Sequence, residues 1–335
     1  MQAEVDILEN DIIEQFPGVL EILLRDQTTQ RNIFWATDNY KELGSAYHFS
    51  SPILPELITK EKGNVIMPRV YKDRILQLSR SKEMAEVFTP SWICNAQNNL
   101  IDNAWFGKEN IFNNEIILKN GSKTWETNKE KISFPKGKTW EDYIRDTRLE
   151  ITCGEAPYIV SRYDTTTGDF IPIENRIGLL DRKLRVINEN ADSIDGWLYA
   201  VKTAFENTYA FEWQGDSLLL AREALLITFI ENYILKFGKD PLLESIQNIA
   251  NIISWNVWQM DGLKGVVPNS CVDKIKEDTD LFGNSEKEII KCKGCELQKF
   301  MLHNGTYCNI MDWNVINKKT GESGKLTRFV DLLKK

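Results

Sequence analysis

Apolar residues recur at helical spacing from the start of the chain, in VDILENDIIEQFPGVLEILLRD, with a break near Pro17-Gly18. This pattern predicts an N-terminal helical extension over residues 1–82. At its basic end, 69-RVYKDRILQLSRSK-82, the lysines and arginines sit among Val70, Ile75, Leu76 and Leu78 at helical spacing. The lysines and arginines then make a solvated face, and DNA contact is the other reading of the same segment. From 103 to 147 the chain is rich in Lys, Asn, Gly and Trp and includes the alternating run NEIILKNG. We read this part as an insertion of loops and a hairpin.

The texture changes over 148–240. LEITC reads as a strand, NRIGLLDRKLRVINENA as a helix, and Gly196 to Asn207 as a second amphipathic run. YAFEW reads as the next strand, followed by a long helix from Ser217 to about Phe237 with Gly238 as its C-cap. Strand, helix, strand, helix in that order predicts an α/β fold with a parallel sheet. From 265 to 310 loops, charges and four cysteines take over. The chain then gives a strand-like TYCNIM, Asp312 and a helix-like tail, KLTRFVDLLKK. The expected organisation is therefore 1–82, a core over 83–264 with the 103–147 insertion, a Cys-rich insertion over 265–310, and the end of the core over 311–335.

Composition narrows the classes. Of 335 residues, 42% are hydrophobic and ten are tryptophan, which supports a folded core. No run of about 18 uninterrupted apolar residues is present, so no membrane partner is expected. The acidic start lacks the pattern of a secretory signal, which makes the cytoplasm the expected location. A net charge of −8 argues against this chain alone gripping a polyanion. Any contact with double-stranded DNA would then run through a complex. No P-loop and no nucleophile motif with a positioned base stand out.

Two strand ends carry candidate chemistry. In 211-FEWQGDSLLLAREAL-225 a strand stops on Glu212, and Asp216 opens the following helix. An acid at the carboxyl end of a strand can accept hydrogen bonds from ribose hydroxyls. The plain structural reading makes Glu212 a solvated acid and Asp216 an N-cap. In 148-RLEITCGEAPYIV-160 a β-branched run enters a turn of small residues, which lets a ligand approach the backbone. An ordinary strand-to-loop turn is the alternative.

Three segments, in order and spacing, resemble the S-adenosylmethionine-dependent DNA adenine-N6 methyltransferases of restriction-modification systems, of the subunit M type. They are 86-EVFTPSWICNAQNNLID-102, similar to that family's F-T-P segment; 150-EITCGEA-156, similar to its D-P-A-C-G-S-G turn; and 212-EWQGDSLLLAREAL-225, similar to its acid followed by L-A-R. The likeness covers roughly residues 84–240. It implies a Rossmann-like methyltransferase sheet binding S-adenosylmethionine. Phe88, Thr89 and Pro90 would line the methionine end, and Glu150, Cys153, Gly154 and Ala156 would form the turn beneath it. Glu212 would hold the ribose, with Trp213 beside the adenine. The segment 307-YCNIMDWN-314 resembles the family's next strand and makes Asp312 the acid facing the adenine amino group.

The departures are Glu150 where the family has Asp, Ala156 for the last glycine, Pro157 after it, and no N-P-P-Y or D-P-P-Y tetrad. That tetrad grips the flipped base. The sequence ends 23 residues after Asp312, about where its strand would begin. The expectation is a cofactor-binding subunit of a split methyltransferase, with a second protein chain supplying the catalytic strand and target recognition. The alternative is a catalytically inactive relative that binds restriction-modification proteins. A nuclease component is a third reading.

The cysteines suggest a separate site. Cys292-Lys-Gly-Cys295 is a C-x-x-C knuckle, and Cys271 and Cys308 can complete four thiolates around a structural zinc ion. His303 is the alternative fourth ligand if Cys271 points away, and free buried thiols are the other reading.

Overall fold

The computed structural model describes residues 5–72, 88–279, 285–316 and 323–333. It shows a mixed helix-and-sheet protein with small sheets. Residues 5–72 give short helices, among them α1 (Glu9–Gln15) and α2 (Val19–Leu24), a small antiparallel pairing of Arg25–Asp26 with Arg31–Asn32, loops and single turns. Pro17-Gly18 separates α1 from α2, with Gly18 at φ +80° supplying the left-handed backbone that other residues resist. This segment is part of the main core: Ile12, Val19, Leu20, Leu23 and Trp35 belong to the same apolar cluster as the later helices. Of the basic helix predicted at 69–82, Arg69–Tyr71 form one 3₁₀ turn, and 73–87 lie outside the described residues.

The helix α3 (Ser91–Phe106) follows Pro90, and the predicted insertion contains an antiparallel hairpin, β1 (Asn113–Ile117) with β2 (Lys123–Thr127). The centre of the molecule is a three-stranded parallel sheet. Its strands are β3 (Arg148–Ile151), then, after the helices α4 (Leu179–Asn190) and α5 (Ile194–Glu206), β4 (Thr208–Glu212). The helices α6 (Gly215–Phe237) and α7 (Leu243–Asn256) lead on to β5 (Val257–Gln259). Strand order equals chain order, β3-β4-β5.

Every residue of β4 is buried, as a central parallel strand requires. Its side chains divide by period two: Ala210 joins the helical core, whereas Tyr209 and Phe211 join a second cluster with Trp258, Ile310 and Phe329 on the other face. α6 is buried on nearly all sides, so its sequence is apolar without a single stripe. It starts against the backbone of residue 34, where a β-carbon on Gly215 would stand 2.2 Å from the Phe34 oxygen. Gly238 ends it in the left-handed conformation, as predicted.

Beyond the sheet the chain makes a hairpin of β6 (Lys274–Thr279) and β7 (Ser285–Ile290), then the short helix α8 (Lys293–Leu297). A second hairpin, β8 (Asn309–Ile316) with β9 (Ser323–Arg328), leads into the single turn α9 (Phe329–Leu332). The tail predicted as helix is thus strand over 325–328, where it pairs with β8, and helix over Phe329–Leu332. No helix among the described residues is long and apolar enough to cross a membrane.

Candidate functional site

The turn after β3 is tied to the end of β4. Cys153 N–H donates to Phe211 O at 2.9 Å, and Gly154 N–H donates to Glu212 Oε2 at 2.8 Å. Thr152, Gly154 and Ala156 all have left-handed backbone, with φ of +51°, +54° and +58°. For β-branched Thr152 that conformation is strained, and such strain concentrates where a backbone is held for a purpose.

Glu212 is buried, and its carboxylate organises this end of the sheet. Besides Gly154 it accepts Trp213 N–H at 2.8 Å and Gln214 N–H at 3.1 Å on Oε1. Burial raises its pKa, against the opposing effect of these backbone donors. Glu150 is also buried. Its Oε1 accepts Tyr158 N–H at 3.4 Å while Oε2 has no partner, and burial pushes this carboxyl well above the usual range. The two acids sit close enough for the charge of Glu212 to raise Glu150 further.

Phe88, Thr89 and Pro90 come to the same place. The Phe88 ring covers Gly154, within 3.7 Å of where a β-carbon would be, and the Arg69 guanidinium stands 5.0 Å from the ring centroid. Arg69 N–H donates to Glu155 Oε1 at 2.8 Å, which fastens the turn from outside. Thr89 O accepts from Thr165 Oγ1, and Pro90 is the N-cap residue of α3. Trp213 is half-buried, with its Nε1 donating to Ala36 O at 3.3 Å. Nine of the residues singled out in the sequence therefore converge at the carboxyl ends of β3 and β4: Phe88, Thr89, Pro90, Glu150, Cys153, Gly154, Ala156, Glu212 and Trp213.

Asp312 does not join them. β8 pairs antiparallel with β9 instead of extending the parallel sheet. Its neighbours Trp313 and Asn314 bond Asn256 and Asn207, the residues just before β5 and β4. Asp312 thus lies by the amino ends of the strands, opposite Glu212. The acid at the carboxyl end of the third strand is Asp261, two residues past β5 in 257-VWQMDG-262. Its neighbour Met260 donates N–H to Glu212 O at 2.9 Å, and Asp261 Oδ1 accepts Leu263 N–H at 3.0 Å. An apolar run ending on an acid and a glycine was the signal that could have found it.

A second site lies in the Cys-rich part. Cys271, Cys292, Cys295 and His303 bring their ligand atoms within 4.8 Å of one another. Cys271 Sγ is 3.4 Å from Cys292 Sγ and 3.6 Å from Cys295 Sγ, and His303 Nδ1 is 3.5 to 3.7 Å from all three sulfurs. A tetrahedral ion with metal–sulfur bonds of ~2.3 Å and metal–nitrogen bonds of ~2.05 Å needs edges of ~3.6–3.8 Å. The cluster can therefore hold a metal ion such as zinc. Burial works to raise the Cys292 thiol, but the backbone N–H groups of Cys295 and Asn304 bring it down to about 6, favouring the thiolate a metal requires.

His303 replaces Cys308 in the expected ligand set. Cys308 turns inward at the start of β8, buried, with Sγ 3.4 Å from Gln259 O. Cys271 points into the cluster, so His303 joins it there and does not replace it. Gly294, inside the knuckle, is helical and needs no special φ. Its place follows from contact: a β-carbon would stand 2.5 Å from His303 N.

Comparison of the chain with protein-family models, with curated proteins and with solved structures gave no match.

Proposed function

We propose that this chain binds S-adenosylmethionine at the carboxyl ends of β3 and β4 and serves methyl transfer to adenine N6 in DNA, as the cofactor half of a restriction-modification or related phage-defence methyltransferase. One observation carries the reading: Phe88, Gly154 and Glu212, each from a different segment of the resemblance, meet in space. Gly154 lets the Phe88 ring lie over the turn, and Glu212 Oε2 has taken one donor and retains acceptor capacity for a hydroxyl. Asp261, at the end of the next strand, takes the adenine-facing role first given to Asp312. The methyl group passes by direct displacement, so the protein's task is to align donor and acceptor. The N-P-P-Y tetrad, missing from this sequence, comes in this reading from a second chain, which also recognises the target in double-stranded DNA.

The Cys271, Cys292, Cys295 and His303 cluster holds structural zinc. Four protein ligands leave no open position for chemistry, so the ion fixes the loops that flank β6, β7 and α8.

A second reading has support from Glu212 itself. With three backbone donors on its carboxylate, the acid can serve only to brace the turn, in a catalytically inactive subunit that assembles with restriction-modification proteins. Calorimetric titration of S-adenosylmethionine separates the two. Micromolar binding that Phe88→Ala weakens, in a variant that melts like the parent, supports the cofactor reading. No binding by the chain, alone or with its partner, leaves the inactive subunit.

A further inference from the structure

Among the described residues, the parallel sheet is open at one edge. Arg148 N–H donates to Asn207 O, beside β4, which sets the alternation along β3. The N–H and C=O groups of Leu149 and Ile151 consequently face away from β4. No described residue pairs with that edge; the one bond there is local, from Thr152 Oγ1 to Ile151 O. The side chains of the same two residues are bare, Leu149 at 42% and Ile151 at 67% exposure, on the face opposite buried Glu150. Leu149 also lines a groove of about 220 Å³ with Tyr209, Trp258, Phe329 and Leu332.

Parallel strands occur with both faces covered, and an unprotected edge invites pairing. The other edge is occupied: on β5, Arg222 Nε donates to Val257 O and Cys308 Sγ to Gln259 O. Only an extended polypeptide can satisfy an outward row of N–H and C=O groups and cover Leu149 and Ile151 together. In open α/β sheets, ligands bind at the carboxyl ends where strands run out to both sides. Here the candidate turn sits at the end of an edge strand, with β4 and β5 on one side and no strand of the described residues on the other. We infer that a β-strand from a second polypeptide adds to β3, parallel to it, covering Leu149 and Ile151. The carboxyl end of that strand then lies beside the Thr152–Ala156 turn. This inference rests on the second-chain part of the proposed function and not on the methyl donor.

The test places a photo-crosslinking benzoylphenylalanine at position 151 of the full chain, expressed in its native host, with exposed Leu242 as the control position. The expected crosslink forms from position 151 alone, into one β-branched, apolar run of a second protein. In the purified complex, amide exchange at Leu149 and Ile151 slows by at least about tenfold relative to the isolated chain. Ile151→Asp is expected to abolish the complex while the isolated variant melts as the parent does. No crosslink at 151, a crosslink into a helix or into another copy of this chain, or unchanged exchange at Leu149 and Ile151 overturns the inference. A complex that forms as stated and fails to bind S-adenosylmethionine removes the methyl donor and leaves the docked strand standing.

Discussion

Gly154 N–H donates to Glu212 Oε2 at 2.8 Å, so the turn that ends one strand hangs on the acid that ends the next. The same carboxylate holds the N–H groups of Trp213 and Gln214. Removing it strands three donors, and a buried donor left unpaired costs about 1–3 kcal/mol. Glu212→Ala is therefore expected to lower unfolding stability by at least about 2 kcal/mol, read from the urea midpoint at constant slope. Exchange at the Gly154 amide should quicken as well. An unchanged midpoint would show that the turn holds itself.

The acid at the end of the third strand gives a sharper comparison. Asp261→Ala should weaken S-adenosylmethionine binding by roughly tenfold, the ~1.4 kcal/mol expected for one lost polar contact. Asp312→Ala, at the opposite ends of the strands, should leave the affinity unchanged. Equal effects of the two substitutions on calorimetric affinity would remove the assignment.

Most of this site was readable without coordinates because its parts are local. A β-branched run entering Thr152–Ala156, and YAFEW stopping before a Gly-Asp helix start, each announce a strand end by themselves. What could not be read was long-range. Asp261 and Asp312 both follow apolar runs, and only strand pairing decides that β5 joins the parallel sheet whereas β8 turns back on β9. Likewise, spacing offers Cys308 and His303 equally to a metal. The choice depends on Cys308 packing inward under β5, a contact made across 49 residues. The N-terminal segment read as a helical extension because its apolar spacing is helical. Its helices stay short because Pro17-Gly18 follows the first and the second runs straight into the paired residues Arg25–Asp26 and Arg31–Asn32.

The metal cluster separates its ligands from its bystander. The purified chain should carry one zinc ion by elemental analysis, and His303→Ala should lose it. Cys308→Ala should retain it, at a cost in stability from the lost buried thiol. Gly294→Ala is expected to weaken retention against a chelator, since a β-carbon cannot stand 2.5 Å from His303 N without moving the ligand. Full zinc in the His303 variant would return Cys308 to the site.

Burial also sets a pH dependence in the N-terminal segment. Glu9, on α1, is buried with neither carboxylate oxygen bonded. Its carboxyl is pushed from 4.5 up to about 9, first by burial and further by the charge of Asp6. The folded chain thus keeps a proton that the unfolded chain releases near pH 4.5. Stability from this group is full below about pH 4.5 and is lost as pH rises through about 9. Glu9→Gln removes the titration while keeping the shape. Its melting temperature should therefore exceed the parent's by several degrees at pH 9, and by much less at pH 5, in scanning calorimetry. The same difference at both values would mean that the Glu9 carboxyl titrates alike in the folded and unfolded chains.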